Sequence, residues 1–135
     1  MNDRQLRIVN RWLDICDEDL EGARSMLNSK IYSWAGVCCH QVVEKALKAY
    51  ICSFSEEDPE YTHKLQKLAA QAGLIDKLSA EQREFLKSLE PLYIQARYPT
   101  YKTKIREQLS PPGVCEKIVT QTEEFLLWIK SKLSQ

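Results

Sequence analysis

The chain has 135 residues, enough for one domain with a substantial core, and is 44% hydrophobic and 28% charged, as ordinary globular proteins are. Nineteen Lys and Arg balance nineteen Asp and Glu, so no global field draws it onto nucleic acid or membrane and any anion site has to be local. The five cysteines are odd in number and lack C-x-x-C spacing, which argues against a disulfide framework or zinc site.

Met1-Asn2-Asp3-Arg4-Gln5 lacks the charged-then-apolar order of a secretory signal, and no apolar run approaches the ~20 residues that span a bilayer. The expectation is a cytoplasmic protein with free thiols packed as small core residues and no membrane partner.

The spacing predicts a first helix from Arg4 to Asn28, with Asp3 as N-cap and Leu6, Val9, Leu13, Cys16, Leu20, Ala23 and Leu27 on one face. Asn28-Ser29-Lys30 connects it tightly to a second helix, Ile31 to Phe54, which the acidic stretch from Ser55 to Glu60 ends. Gly22-Ala23 and Ala35-Gly36 lie symmetrically about that turn, so they are expected to meet and let the two backbones approach. A short third helix, Thr62 to Ala72, carries Leu65 and Leu68, and Gly73-Leu74 has the form of a glycine C-cap.

Ser79-Ala80-Glu81-Gln82 fits a capping box opening a fourth helix through Tyr93, kinked at Pro91. From Arg97 to Ser110 the periodicity lapses and reads as a loop. Pro111 then suits the first position of a last helix carrying Val114, Ile118, Phe125, Ile129 and Leu133. No segment alternates long enough to be a strand. The expected architecture is all-α: one domain over residues 1–135, an antiparallel up-and-down bundle of about five helices.

Conventional catalytic motifs are absent: there is no Gly-rich phosphate loop, G-x-S-x-G or H-E-x-x-H. Cys38-Cys39-His40 points in three directions on a helix and cannot converge on one ion. Asp14, Glu18 and Glu21 share a face but lack the Glu-x-x-His partners of a di-metal bundle, so they read as a solvated face, and neither metal nor cofactor is expected.

Two polar constellations remain. Gln41, Glu44, Lys45 and Lys48 share a stripe on the second helix, which is either an exposed ion-paired face or a ligand-binding one. Tyr93-Ile94-Gln95-Ala96-Arg97-Tyr98-Pro99, with Thr100, Tyr101, Lys102, Lys104 and Arg106 after it, is a local basic patch. Its arginine fork suits phosphate and its tyrosines can stack on bases, though basic loops are also simply solvated.

Taken in order, Gln41-x-x-Glu44-Lys45-x-x-Lys48-Ala49, Thr62-His63-x-Leu65-x-x-Leu68 and Tyr93-Ile94-x-Ala96-Arg97-Tyr98-Pro99 resemble the HEPN domain (higher eukaryotes and prokaryotes nucleotide-binding), over about residues 4 to 133. The resemblance implies an antiparallel helical bundle that forms a homodimer. It also implies a set of nucleotide- or phosphate-binding residues: Arg97, Tyr98, His63, Lys48, Lys45 and Glu44. Tyr101 corresponds to a region where related systems carry a modified tyrosine.

Two functions are implied. In one, the chain is a nucleotide- or RNA-associated accessory protein that partners a minimal nucleotidyltransferase in a toxin–antitoxin-like pair. In the other, it is a metal-independent ribonuclease, a class that carries a histidine a few residues after the arginine. No histidine follows His63 here, so the base for a ribose 2′-hydroxyl is missing unless the fold brings His63 beside Arg97. A third reading is a noncatalytic helical interaction module.

Overall fold

A computed structural model describes residues 1–135; its regular structure is all helix, with no strand. The helices are α1 (Asp3–Asn28), α2 (Tyr32–Phe54), α3 (Leu65–Gln71), α4 (Ala80–Leu89), α5 (Leu92–Gln95), α6 (Pro99–Leu109) and α7 (Val114–Leu133), with a 3-10 turn at Ile75–Lys77. The organising element is α2, which packs against every other α-helix and pairs most extensively with α1. Fifteen of its 23 residues are buried, and a helix enclosed on all sides has to be apolar on all sides. Glu44, Lys48 and His40 break that rule, which marks them for attention.

Local chemistry sets the helix ends. Asn2, rather than Asp3, caps α1: its side chain accepts the Gln5 N–H at 2.7 Å, and the Gln5 side chain accepts the Asn2 N–H at 3.0 Å. Helix α1 ends with Lys30 in the left-handed region at φ 60°, and the Ile31 N–H reaches back to the Met26 carbonyl at 2.8 Å. Gly73 closes α3 in the same way at φ 70°, with the Leu74 N–H on the Ala69 carbonyl at 3.0 Å. The capping box of Ser79 and Gln82 opens α4 with both reciprocal bonds formed.

The structure corrects several expected boundaries. The segment from Arg97 to Ser110 is not a loop: α6 occupies most of it, with Pro99 at its first position, where the missing N–H and fixed φ are harmless. Only Ile105 and Leu109 of α6 are buried, too few to write a clear period. Pro91 does not kink one helix but separates two, because the chain leaves α4 at Leu89 and restarts as α5 at Leu92. Pro111 lies ahead of α7, which begins at Val114 after Gly113 at φ 84°. Helix α3 begins at Leu65, with Thr62 in the preceding connection.

Gly22 and Gly36 do not meet. Gly22 faces Cys38 across the α1–α2 pair, whereas Gly36 faces the other way. A Cβ at Gly36 would lie 3.0 Å from Leu92 and 3.3 Å from Leu109, so this glycine seats α5 and α6 against α2. The acidic residues of α1 serve as ties: Asp19 bonds Lys45 of α2 at 2.7 Å, and Asp17 bonds Lys130 of α7 at 2.8 Å. Such partly exposed pairs contribute about 0–1 kcal/mol each, so the 27-residue apolar cluster around α2 is what holds the bundle. Replacing Gly36 by valine overfills the contact with Leu92 and Leu109. It is expected to lower stability by about 1–3 kcal/mol, seen as a lower urea midpoint with an unchanged slope.

Candidate functional site

The site forms where the middle of α2, the connection before α3 and the α5–α6 corner converge. Glu44 sits on the buried side of α2 with a relative exposure of 5%. One of its oxygens accepts from Lys48 Nζ at 3.2 Å, and the other lies 2.8 Å from His63 Nδ1. A carboxylate that accepts at both oxygens would place the imidazole proton on Nδ1 and leave Nε2 as the ring nitrogen free to accept. His63 makes no other side-chain hydrogen bond within the protein, and its side chain is 41% exposed.

His63 also stacks on Tyr93, with ring centroids 4.1 Å apart and planes 25° apart. The Arg97 guanidinium lies over the same Tyr93 ring, 4.2 Å from its centroid, as the i,i+4 spacing of these residues allows. The fold therefore brings His63 and Arg97 onto one aromatic ring, although they are far apart in the sequence. Glu90 fixes this corner. Its side chain, at the α4–α5 turn, accepts the Leu65 N–H at the start of α3 at 2.9 Å and ties the His63 connection to the Tyr93 helix. Burial pushes the Glu90 carboxyl up, and the N–H groups of Leu65 and Gln66 pull it partly back.

His40 completes the cluster one turn before Glu44. It is fully buried, with its ring 5.0 Å from Tyr93, and neither ring nitrogen has a hydrogen-bond partner. Its Nδ1 lies 3.8 Å from Glu44, beyond bonding distance. Burial drives its pKa down to about 4; the Glu44 carboxylate opposes that and the Arg97 charge reinforces it. His40 is consequently neutral at physiological pH.

Of the residues singled out in the sequence, Glu44, Lys48, His63 and Arg97 are brought together. The stripe on α2 is not an exposed ion-paired face, since Glu44 and Lys48 are buried. Lys45 points away to Asp19 on α1. Tyr98 caps α6 and Tyr101 lies on its first turn, both exposed. Lys102 leaves the basic group to lie over Trp34, 5.2 Å from its ring. Sequence reasoning passed over Tyr93 as the shared platform, His40 as its buried neighbour, Glu90 as the tether and Trp12, over whose ring Lys48 sits at 5.7 Å. The repeated four-residue steps His40–Glu44 and Tyr93–Arg97 were the available signals.

The site offers two cations, a buried carboxylate and stacked flat side chains, a set suited to a phosphate beside a planar group. No cluster of His, Cys, Asp or Glu has the composition to hold a metal, and no helix is long and apolar enough to cross a membrane. The molecule is thus an all-α domain whose polar chemistry gathers around one tyrosine. The HEPN domain model matches residues 9–132, and the chain belongs to that family. Membership connects it with nucleotide- or RNA-related function. No match is found among curated proteins or solved structures.

The buried His40 has a pH signature. Below about pH 6.5 the unfolded chain protonates at this position and the folded chain does not until about pH 4. Stability is therefore expected to fall through that window, by up to roughly 3 kcal/mol, and this contribution should level off below it. Urea unfolding across pH 4–7 checks this, and His40→Phe should flatten that part of the profile.

Proposed function

We propose that the chain is a nucleotide- or RNA-associated accessory protein, working in the cytoplasm as a homodimer with a minimal nucleotidyltransferase in a two-component, toxin–antitoxin-like system. The observation that carries the binding role is the Tyr93 ring shared by His63 and Arg97. Arg97, exposed at the α5–α6 corner, supplies a permanently charged fork for phosphate. Lys48 is a second cation, held in place by Glu44. Lys45, engaged with Asp19, drops out of the phosphate set.

The dimer and partner roles are supported by apolar surface. Trp34, Ile94, Tyr98 and Tyr101 are exposed on α2, α5, the α6 cap and α6, elements that pack together, and large apolar side chains left in solvent favour an interface. Tyr98 and Tyr101 are both exposed phenols in this region, and Tyr101 is the one the family resemblance points to as the target of a partner enzyme. Its oxygen would attack the α-phosphorus of a nucleoside triphosphate, release pyrophosphate and give up its proton to solvent.

A tagged pull-down read by native mass spectrometry tests this reading. A stoichiometric complex of a dimer with a small nucleotidyltransferase is expected, and a bare chain without a partner would overturn the accessory role. Arg97→Ala should abolish saturable nucleotide binding while leaving thermal unfolding unchanged, because Arg97 is exposed. Retained affinity would remove Arg97 from the site.

One observation favours the ribonuclease reading as a second. A histidine held through Nδ1 by a buried carboxylate has the form of an oriented general base. His63 Nε2 would take the ribose 2′-hydroxyl proton. The 2′-oxygen would attack phosphorus as the bond to the 5′-oxygen breaks, and that oxygen would take a proton from water. Cleavage should then proceed without metal and fall by roughly 10²–10⁴-fold in His63→Ala. Unchanged cleavage in that variant would sink the mechanism.

A further inference from the structure

We infer that the Arg97 site is one end of a track for single-stranded nucleic acid whose other end is an arginine face on α1. This rests on the reading of the Arg97 cluster as a nucleotide site and extends it from one nucleotide to several. Arg4, Arg7 and Arg11 follow one another at three- and four-residue steps and share a face of α1, where all three are exposed. None of them takes part in an ion pair. Farther along the same helix Arg24 has two, to Glu21 and Glu123, while Lys45 and Lys130 are paired with Asp19 and Asp17. Asp17, Asp19 and Glu21 of α1 are engaged in those pairs, and Asp3, Asp14 and Glu18, though on the same helix, form no ion pair with the stripe, so its three guanidinium groups stay unpaired in a protein of zero net charge.

A shallow cavity of about 310 Å³ lies among these arginines and Ile8. Ile8 also lines the next recess, of about 240 Å³, which Trp12, Lys48 and Tyr61 share, so the two adjoin at this side chain. Trp12 is half-buried and Tyr61 is 95% exposed, leaving flat apolar faces open to a base. The recess leads into the cluster through Lys48, which touches both Trp12 and Glu44, and through Tyr61, whose ring is 6.2 Å from His63. His63, Tyr93 and Arg97 continue the path at 4.1 and 4.2 Å. Cations and flat side chains therefore alternate from α1 to the α5–α6 corner, the pattern that binds a backbone and stacks its bases.

The other wall sets the strand's orientation. Asp58 and Glu60 line the recess from the loop before α3, where carboxylates repel phosphates and accept hydrogen bonds from base amino groups. A backbone held by the arginines of α1 would then leave its bases to the recess. Glu56, Glu57 and Asp58 also face the Arg4 end, which makes Arg7 and Arg11 the working cations of the stripe. A duplex keeps its bases stacked inside and makes no use of Trp12 and Tyr61, so the surface fits a single strand.

The test is fluorescence anisotropy on the full chain, titrating a labelled single-stranded RNA oligonucleotide and a labelled mononucleotide across salt concentrations. The oligonucleotide should bind tighter. The Arg7→Ala/Arg11→Ala variant should weaken it roughly tenfold or more, lower the log–log salt slope by about 1.4, and leave mononucleotide affinity unchanged. Tyr61→Ala should weaken the oligonucleotide by about five- to 150-fold with little change in slope, as loss of a stacked base does. Arg97→Ala should weaken both probes. A mononucleotide that binds while the oligonucleotide binds no tighter, or oligonucleotide affinity indifferent to Arg7 and Arg11, would overturn the track and leave the nucleotide reading standing. A duplex binding as well as the strand would also overturn it, and failure of both probes to bind would overturn both readings.

Discussion

The carboxylate of Glu44 is the constraint on which the site depends. It is buried on the central helix, where an uncompensated charge would be expensive, so its two bonds to Lys48 and His63 are conditions of its presence. Removing one partner from such a buried group typically costs about 3–5 kcal/mol, far more than a surface ion pair contributes. That asymmetry fixes positions. Lys48 is held between Glu44 and Trp12, and His63, in a connection without regular structure, is held in one orientation.

The rest of the bundle delivers groups to that carboxylate. Gly36 is the opening into which Leu92 and Leu109 settle, and through them α5 and α6 carry Tyr93 and Arg97 to the face of α2 that bears Glu44. Glu90 closes the other side by capping α3 beside His63. His40, neutral and without a hydrogen-bond partner, packs beneath Tyr93 without adding a competing charge. An apolar floor, one anchored carboxylate and an exposed arginine together give a site that is rigid underneath and accessible above.

Much of the fold was legible because burial writes a period into long helices. The apolar steps of α1, the capping box at Ser79 and the glycine at Gly73 each correspond to the expected local structure. Helix α6 was not legible, because only Ile105 and Leu109 are buried and a helix with so little to hide leaves little periodicity. Gly36 was misread for a related reason. Spacing shows that a small residue is needed at a close approach but not which neighbour approaches. In the site, the motifs named Glu44, Lys48, His63 and Arg97 separately, whereas their meeting on Tyr93 is a tertiary contact between segments that local pattern cannot relate. The burial of Glu44 was equally hidden, since its i,i+4 spacing with Lys48 is the same on a solvated helix and an enclosed one.

Glu44 reaches His63 at Nδ1, and the tautomer that follows from a donated Nδ1 proton leaves Nε2 free for a ligand. Long-range ¹H–¹⁵N correlation NMR of the imidazole rings at neutral pH reads this directly. A His63 ring with a protonated Nδ1 is expected, and a Glu44→Gln variant should lose that preference. A His63 ring that exchanges freely between tautomers in the unaltered protein, or carries its proton on Nε2, would contradict it.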